Sequence, residues 1–151
     1  MPNWTSNELI VTGKTEDVAR FVDHIGQTMD FENIIPPPAD MFRGDLLGEK
    51  ERKECAEKGI PNWYDWQSEH WGTKWNACDC EEVILTPFEH TSYTKAIYRF
   101  DTAWSTPEPV IRRIIEDWPE LEIDGGYIDE GYEGCGSFSA FQEYCQEGRA
   151  A

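Results

Sequence analysis

Basic residues are scarce in this chain: 13 lysines and arginines stand against 30 aspartates and glutamates, for a formal net charge of −17. A surface of that sign repels nucleic-acid phosphates and anionic lipid headgroups at long range. We therefore expect no direct nucleic-acid binding and no membrane partner. Two interpretations of the acidic excess remain open. It is either a solvated, self-repelling surface, or a face that engages a basic partner surface, including one that normally holds nucleic acid.

Long apolar runs are also missing, because no stretch approaches the roughly 18 residues that suggest a membrane span. The first residues carry no basic region followed by an apolar one, so we expect no secretory signal. The default expectation is a cytoplasmic protein with reduced thiols.

Cysteine is limited to five residues, an odd number: Cys55, Cys78, Cys80, Cys135 and Cys145. The Cys-x-Cys spacing of Cys78 and Cys80 is not that of a zinc knuckle, and no second pair of this kind exists. We therefore predict free thiols and no metal. Cys135 and Cys145 could face each other across a C-terminal hairpin, but a cytosolic setting argues against a disulfide.

Catalytic motifs are absent as well: no Gly-x-Ser-x-Gly, no phosphate-binding glycine loop and no His-Glu-x-x-His. We predict a protein that is not an enzyme, with no catalytic residue and no cofactor. Asp65, Glu69 and His70 could form an acid–base group. At helical spacing, however, the two carboxylates point away from the stripe that holds His70, so we interpret His70 as structural.

Tryptophan is abundant, with seven residues, and four of them fall between positions 63 and 79. Rings at this density bury much apolar surface. The stretch is a structural cluster or a ligand pocket in which Lys74 supplies a positive charge beside indole faces. The candidate residues are Trp63, Trp66, His70, Trp71, Lys74, Trp75 and Trp104.

The hydrophobic periodicity predicts an α+β fold. We predict strands over 8–12, 31–35, 82–88, 95–102, 121–127 and 138–144, and helices over 15–28, with Thr15 as N-cap, and from Pro107 or Pro109 to Pro119. The charged segment 49–58 is a short helix or loop, and the aromatic stretch is helical as far as Gly72. This order favours a single domain over 1–151 with a ferredoxin-like split βαβ core, an antiparallel sheet, helices on one face and an aromatic-rich helical insertion at about 39–80.

Short motifs along nearly the whole chain resemble the YubB-type ferredoxin-like domain family of phage, prophage and plasmid proteins. They are Pro2-Asn3-Trp4, Ile34-Ile35-Pro36, Trp63-Tyr64-Asp65-Trp66, His70-Trp71-Gly72-Thr73-Lys74-Trp75-Asn76, Thr102-Ala103-Trp104-Ser105 and Glu130-Gly131. The resemblance implies the fold and a mobile-element origin in a bacterial host. It implies no activity and no catalytic residues.

Acidic residues are densest in the C-terminal third, where their spacing could imitate a phosphate backbone. The predicted partner-binding face consists of Glu116, Asp117, Glu120, Glu122, Asp124, Asp129, Glu130 and Glu133. We expect an acidic binding protein that inhibits a host defence or nucleic-acid-handling protein, of the anti-CRISPR or anti-restriction type, by DNA mimicry. The alternatives are a small-ligand-binding domain or enzyme using the His70, Lys74 and tryptophan cluster, or a regulatory or structural dimer of the element. Whether the chain is a monomer or a homodimer stays open.

Overall fold

Two long strands, whose side chains alternate between a buried and a more exposed side, organise the fold. The computed structural model describes residues 3–45, 48–131 and 134–142. Its elements are β1 (Trp4–Lys14), α1 (Thr15–Ile25), a 3₁₀-helix (Phe31–Asn33), α2 (Glu49–Lys58), α3 (Trp63–His70), β2 (Ile84–Pro87), β3 (Tyr93–Ala103), α4 (Glu108–Asp117), β4 (Glu122–Asp129) and β5 (Cys135–Ser137).

The five strands form one antiparallel sheet in the order β2-β3-β1-β4-β5. Strand β3 lies between β1 and β2, and β1 lies between β3 and β4. The units β1-α1-β2 and β3-α4-β4 are therefore interleaved in the sheet. This is the split βαβ arrangement of a ferredoxin-like fold. The predicted α+β class and ferredoxin-like core are confirmed, and α2 and α3 occupy the connection between α1 and β2.

The core lies between one side of the sheet and the helices. Helices α1 and α4 are strongly amphipathic, because apolar residues recur three and four positions apart on each. The buried core residues of these elements are Val18, Phe21, Val22 and Ile25 of α1, Val110, Ile111, Ile114 and Ile115 of α4, and Leu9, Val11, Ala96, Tyr98, Phe100 and Ile123 of the sheet. None of the helices that the structure describes has the length and apolar content needed to cross a bilayer.

The prediction that Thr15 caps α1 is wrong. Lys14 holds the N-cap position, and Thr15 is the first helical residue. Its hydroxyl donates instead to the carbonyl oxygen of Ser92, 3.0 Å away. The helix is also shorter than predicted, because Gly26, with φ of 106°, follows Ile25 and ends it.

The predicted strand over 31–35 is also wrong, because side chains hold this segment in a 3₁₀-helix. The carboxylate of Asp30 accepts a hydrogen bond from the Glu32 amide at 3.0 Å, which caps the turn. The Phe31 amide donates to the side chain of Asn76 at 2.9 Å. Both bonds direct the backbone away from a ladder.

The predicted strand over 138–144 is wrong in its described part, since residues 138–142 are helical; the rest lies outside the described residues. This segment completes β4 through a side chain. The Gln142 amide accepts from Ile123 N–H at 3.1 Å and donates to Leu121 C=O at 3.0 Å. The neighbouring strand is the short β5.

The outer edge of β2 offers few backbone groups to another strand. The Phe88 N–H donates to Tyr93 C=O, so Phe88 occupies a hydrogen-bonded position of the ladder. Because such positions alternate along an antiparallel pair, the backbone groups of Leu85 and Pro87 point away from β3, to the outer edge. Pro87 has no N–H, and the Val83 N–H is bound to Gln27 C=O at 2.7 Å. Among the four residues of β2, only Leu85 presents an outward N–H, although all four are exposed.

Candidate partner-binding site

The side of the sheet opposite α1 and α4 is called here the open face. Register and strand alternation place sixteen side chains or glycines on it. They are Ser6, Glu8, Ile10 and Thr12 of β1, Ile84 and Thr86 of β2, Lys95, Ile97, Arg99 and Asp101 of β3, Glu122, Asp124, Gly126 and Ile128 of β4, and Cys135 and Ser137 of β5.

A row of isoleucines crosses the open face. Ile97 of β3 lies opposite Ile84 of β2 on one side and Ile10 of β1 on the other. Ile10 and Ile97 are half-buried by their neighbours, and Ile84 is 41% exposed. The next position along this row is Asp124, so the apolar row ends on a carboxylate.

An acidic cavity of about 740 Å³ occupies one end of the open face. Four carboxylates line it, from Glu8, Asp79, Glu81 and Asp101, against the single cation Arg99. Asp79 and Glu81 arrive there because the segment before β2 runs along β3, with Cys78 and Asp101 exchanging two backbone hydrogen bonds of 2.8 Å. We call this space the open-face cavity.

Carboxylates already engage Arg99. Its Nε donates to Glu8 at 2.7 Å, and Nη1 lies 3.6 Å from Glu81. The hydrogen bond to Glu8 raises the pKa of the Arg99 guanidinium further above its already high ordinary value. Asp79 and Asp101 form no ion pair with another described residue and leave the cavity a negative surplus.

A second cavity, of about 700 Å³, lies at the same end of the sheet but on the helix side. Trp104, which is 51% exposed, forms part of its wall, and Tyr127 lines both cavities. Three carboxylates and one arginine contribute the charged groups: Glu69, Glu108, Asp129 and Arg112. We call this space the Trp104 cavity.

A lysine holds the Trp104 indole from one direction. The Nζ atom of Lys74 lies 4.1 Å from the Trp104 ring centroid and 4.2 Å from that of Trp75. Trp75 in turn packs near Trp4, with ring centroids 6.1 Å apart. The ammonium therefore lies between two indole rings, an arrangement stabilised by cation–π attraction.

The comparison with known families supports the fold described above. A family model described as a ferredoxin-like domain in Api92-like protein matches residues 70–143. That stretch begins at the end of α3 and includes β2, β3, α4 and β4. No curated protein and no solved structure matches the chain. The narrower assignment to the YubB-type family and a mobile-element origin stays a prediction.

The acidic residues predicted from the sequence do not share one face. Glu122 and Asp124 point to the open face, whereas Asp129 lines the Trp104 cavity on the helix side. Asp117 is paired with Arg113 at 3.0 Å, at the end of α4. The other members lie at that helix end (Glu116), in the turn after it (Glu120) and after β4 (Glu130), and Glu133 lies outside the described residues. Their partner-binding role stays a prediction.

The predicted aromatic cluster divides into three groups. Trp71 is 1% exposed and donates from Nε1 to Ile35 C=O at 3.0 Å, with Trp66 edge-on against it. His70 stacks on Trp66 at 4.5 Å and donates from Nδ1 to the Trp66 carbonyl oxygen. Trp71 therefore belongs to the core, Trp66 packs against the core, and His70 is half-buried beside them.

The other two groups lie at the surface. One is Lys74 with Trp75 and Trp104, already described. The other is Trp63, which donates from Nε1 to Gly44 C=O at 2.9 Å and packs edge-on against Tyr64. The seven predicted residues therefore do not form one pocket.

The carboxylate of Asp65 serves the structure of α3. The side-chain amide of Asn62 and, after it, the guanidinium of Arg52 donate to Asp65 and hold its pKa below the usual range. Asn62 itself caps α3 by accepting from the Asp65 amide at 2.9 Å. Asp65 is thus an ion-pair and capping residue.

Two cysteine thiols are held in the neutral form. Burial, with the nearby acidic residues, raises the pKa of Cys78, and burial raises the pKa of Cys80 to about 11. In the part of the chain that the structure describes, no three histidine, cysteine or carboxylate side chains are arranged so that they could hold a metal ion. The suggested Cys135–Cys145 pair involves Cys145, which lies outside the described residues.

Sequence reasoning missed the carboxylates of the open-face cavity. Glu8 and Asp101 are far apart in sequence and belong to strands that the periodicity detects. The sequence does contain a signal for them: buried and more exposed residues alternate along both strands, and Glu8 and Asp101 each occupy a more exposed position. Asp79 and Glu81 gave no such signal, since their place depends on the extended pairing of that segment with β3.

Proposed function

We propose that this chain is a non-catalytic binding protein of a phage or other mobile element, acting in the bacterial cytoplasm. It occupies a basic surface of a host defence or nucleic-acid-handling protein and thereby blocks nucleic-acid access. The observation that carries this proposal is the open face, an uncovered sheet surface with an acidic cavity and a row of isoleucines in a chain of net charge −17.

The charge pattern favours a basic partner. Carboxylates from two strands, β1 and β3, and from the segment before β2 surround the open-face cavity, and Glu122 and Asp124 extend the negative surface along β4. Complementary charge steers encounter and excludes wrong partners, and an apolar centre supplies the area that excludes water. The isoleucine row of the open face would supply this apolar centre, because it lies between the open-face cavity and Glu122.

The first experiment is competition for nucleic acid. The tagged chain captures proteins from a nuclease-treated bacterial lysate, and rising salt elutes them. Each eluted protein is then tested for binding to a labelled DNA duplex, with and without added chain. We expect a salt-sensitive partner that loses DNA binding when the chain is present.

Two variants with the same net charge locate the surface. One carries Asp101→Lys, Glu122→Lys and Asp124→Lys on the open face. The matched control carries Asp23→Lys, Glu54→Lys and Glu57→Lys, all exposed residues of α1 and α2. The open-face variant should lose competition and the control should keep it. Equal loss by both would show that only total charge matters and would refute the assigned surface.

A further inference from the structure

The Trp104 backbone adopts a conformation that bulky residues rarely take. Its φ is 71°, in the left-handed region that favours glycine. Such a conformation persists only where surrounding contacts fix it, and it is often found at functional sites. Burial of the indole does not offset the cost of this conformation, since Trp104 is 51% exposed.

A buried network fixes this turn. Asn7, only 3% exposed, donates from Nδ2 to Thr102 Oγ1 at 3.0 Å and accepts from Thr106 Oγ1 at 2.8 Å. The Thr102 hydroxyl donates to Ser105 C=O at 2.7 Å, and Trp104 N–H donates to the carbonyl of Asn3 at 2.7 Å. The chain thus holds an exposed indole at a defined place.

The cavity beside this indole is large enough for a side chain of another molecule. Its volume of about 700 Å³ lies in the range of ligand sites. Glu69 forms no ion pair with another described residue, and Asp129 adds a second carboxylate at the wall. Arg112 is already held by Glu108, with Nη2 2.7 Å from the carboxylate.

We propose that the Trp104 cavity binds an arginine side chain of the partner. This inference rests on the proposed function in taking the partner to be a basic protein. A guanidinium is planar, stacks on an indole and donates paired hydrogen bonds to carboxylates. The positive charge of Lys74 repels an incoming guanidinium, but the same ammonium holds the Trp104 ring in place. The three carboxylates that line the cavity outnumber the two positive groups nearby, Lys74 and Arg112.

The test is a titration with the peptide acetyl-Gly-Arg-Gly-amide, followed by the indole N–H resonances in a nitrogen–proton correlation spectrum. The same peptide with citrulline in place of arginine keeps the shape and removes the charge. We expect the Trp104 resonance to shift with the arginine peptide. The citrulline peptide should bind with an affinity lower by a factor of about ten or more. Equal binding of the two peptides, or no shift with arginine, would overturn the proposal.

Trp104→Gly separates recognition from structure. Glycine suits a φ of 71°, so this variant is expected to fold while losing arginine binding. Trp63→Ala, at a surface indole outside the cavity, should bind as the unaltered chain does. Retained binding by Trp104→Gly would refute the site.

Glu69→Gln gives an independent check, because Glu69 is exposed and its substitution removes one carboxylate without disturbing the turn. It should weaken the arginine peptide and leave the citrulline peptide unchanged; equal affinities of unaltered and substituted chains would count against the carboxylate's role. The peptide experiment needs no partner protein. Its failure would therefore leave the open-face competition result untouched, and the reverse also holds.

Discussion

Thr106 donates a hydrogen bond from Oγ1 to Oδ1 of Asn7, 2.8 Å away, and so joins two residues 99 positions apart in sequence. The bond connects the start of the sheet to the turn before α4. Asn7 is buried, and each of its side-chain atoms that can bond does so within the described residues. The stability of the Trp104 turn should therefore depend on Asn7.

Asn7→Ala is expected to lower the free energy of unfolding by about 2–3 kcal/mol, because it leaves buried partners without their bonds. Urea denaturation followed by circular dichroism would measure it. Thr106→Val removes a single hydroxyl and should cost about 1 kcal/mol. A loss for Asn7→Ala no larger than that for Thr106→Val would contradict the central position of Asn7.

Two glycines with positive φ should differ sharply in their tolerance of a side chain. At Gly125, φ is 96° and an added Cβ would lie 1.9 Å from the carbonyl oxygen of Glu8, across the β1–β4 pair. At Gly59, φ is 68° and, apart from its own chain neighbours, no described heavy atom lies within 4 Å of an added Cβ. Gly59→Ala should cost about 1 kcal/mol, whereas Gly125→Ala should force the two strands apart and cost several times more. Thermal unfolding of the two variants compares them directly, and similar melting temperatures would speak against the close approach.

Trp71 and His70 are neighbours in sequence but should contribute very differently to the free energy of unfolding. Trp71→Ala removes a fully buried ring and its bond to Ile35, so we expect a loss of about 3–5 kcal/mol. His70→Ala removes a half-buried ring stacked on Trp66 and should cost about 1 kcal/mol. Chemical denaturation of both variants is the measurement. The reverse order of losses would show that the core is organised differently.

Cys80 should react slowly with alkylating reagents at neutral pH. Its pKa is raised to about 11 by burial, so the reactive thiolate is scarce until the pH approaches that value. Because the folded-state pKa is raised, the stabilising effect of the neutral thiol is complete below about pH 9 and is lost as the pH rises toward 11. Iodoacetamide labelling with peptide mass analysis should show Cys135, which is exposed, modified before Cys80. Faster labelling of Cys80 than of Cys135 at pH 7 would contradict this assignment.

The fold was predictable where apolar periodicity decides the structure. Strands β1 and β3 and helices α1 and α4 follow directly from alternating or three-and-four spaced apolar residues. Two short segments were predicted wrongly because side chains distant in sequence decide them. Asn76 binds the backbone of Phe31, 45 positions away, and Gln142 takes the place of a strand neighbour beside Ile123.

The candidate site was harder to predict, because strand register decides which charges meet. Glu8 and Asp101 line one cavity although 93 positions of chain separate them, and they come close only because the register of β1 with β3 sets Ser6 opposite Asp101 and Glu8 opposite Arg99. Conversely, Glu122 and Asp129 are close in sequence but lie on opposite sides of β4. A charge run along a strand or across a turn is divided by the sheet, so density in sequence does not measure density at a surface.

The blunted edge of β2 has a consequence for how recognition can change. With Pro87 lacking an N–H and Val83 already bound to Gln27, a second molecule gains little from main-chain pairing there. Under the proposed function, affinity at this side of the sheet therefore comes from side chains and not from main-chain pairing with β2. Main-chain pairing is nearly blind to amino-acid identity, whereas side-chain contacts change with each substitution. A surface of this kind can follow an altered partner through single point mutations while its backbone stays the same.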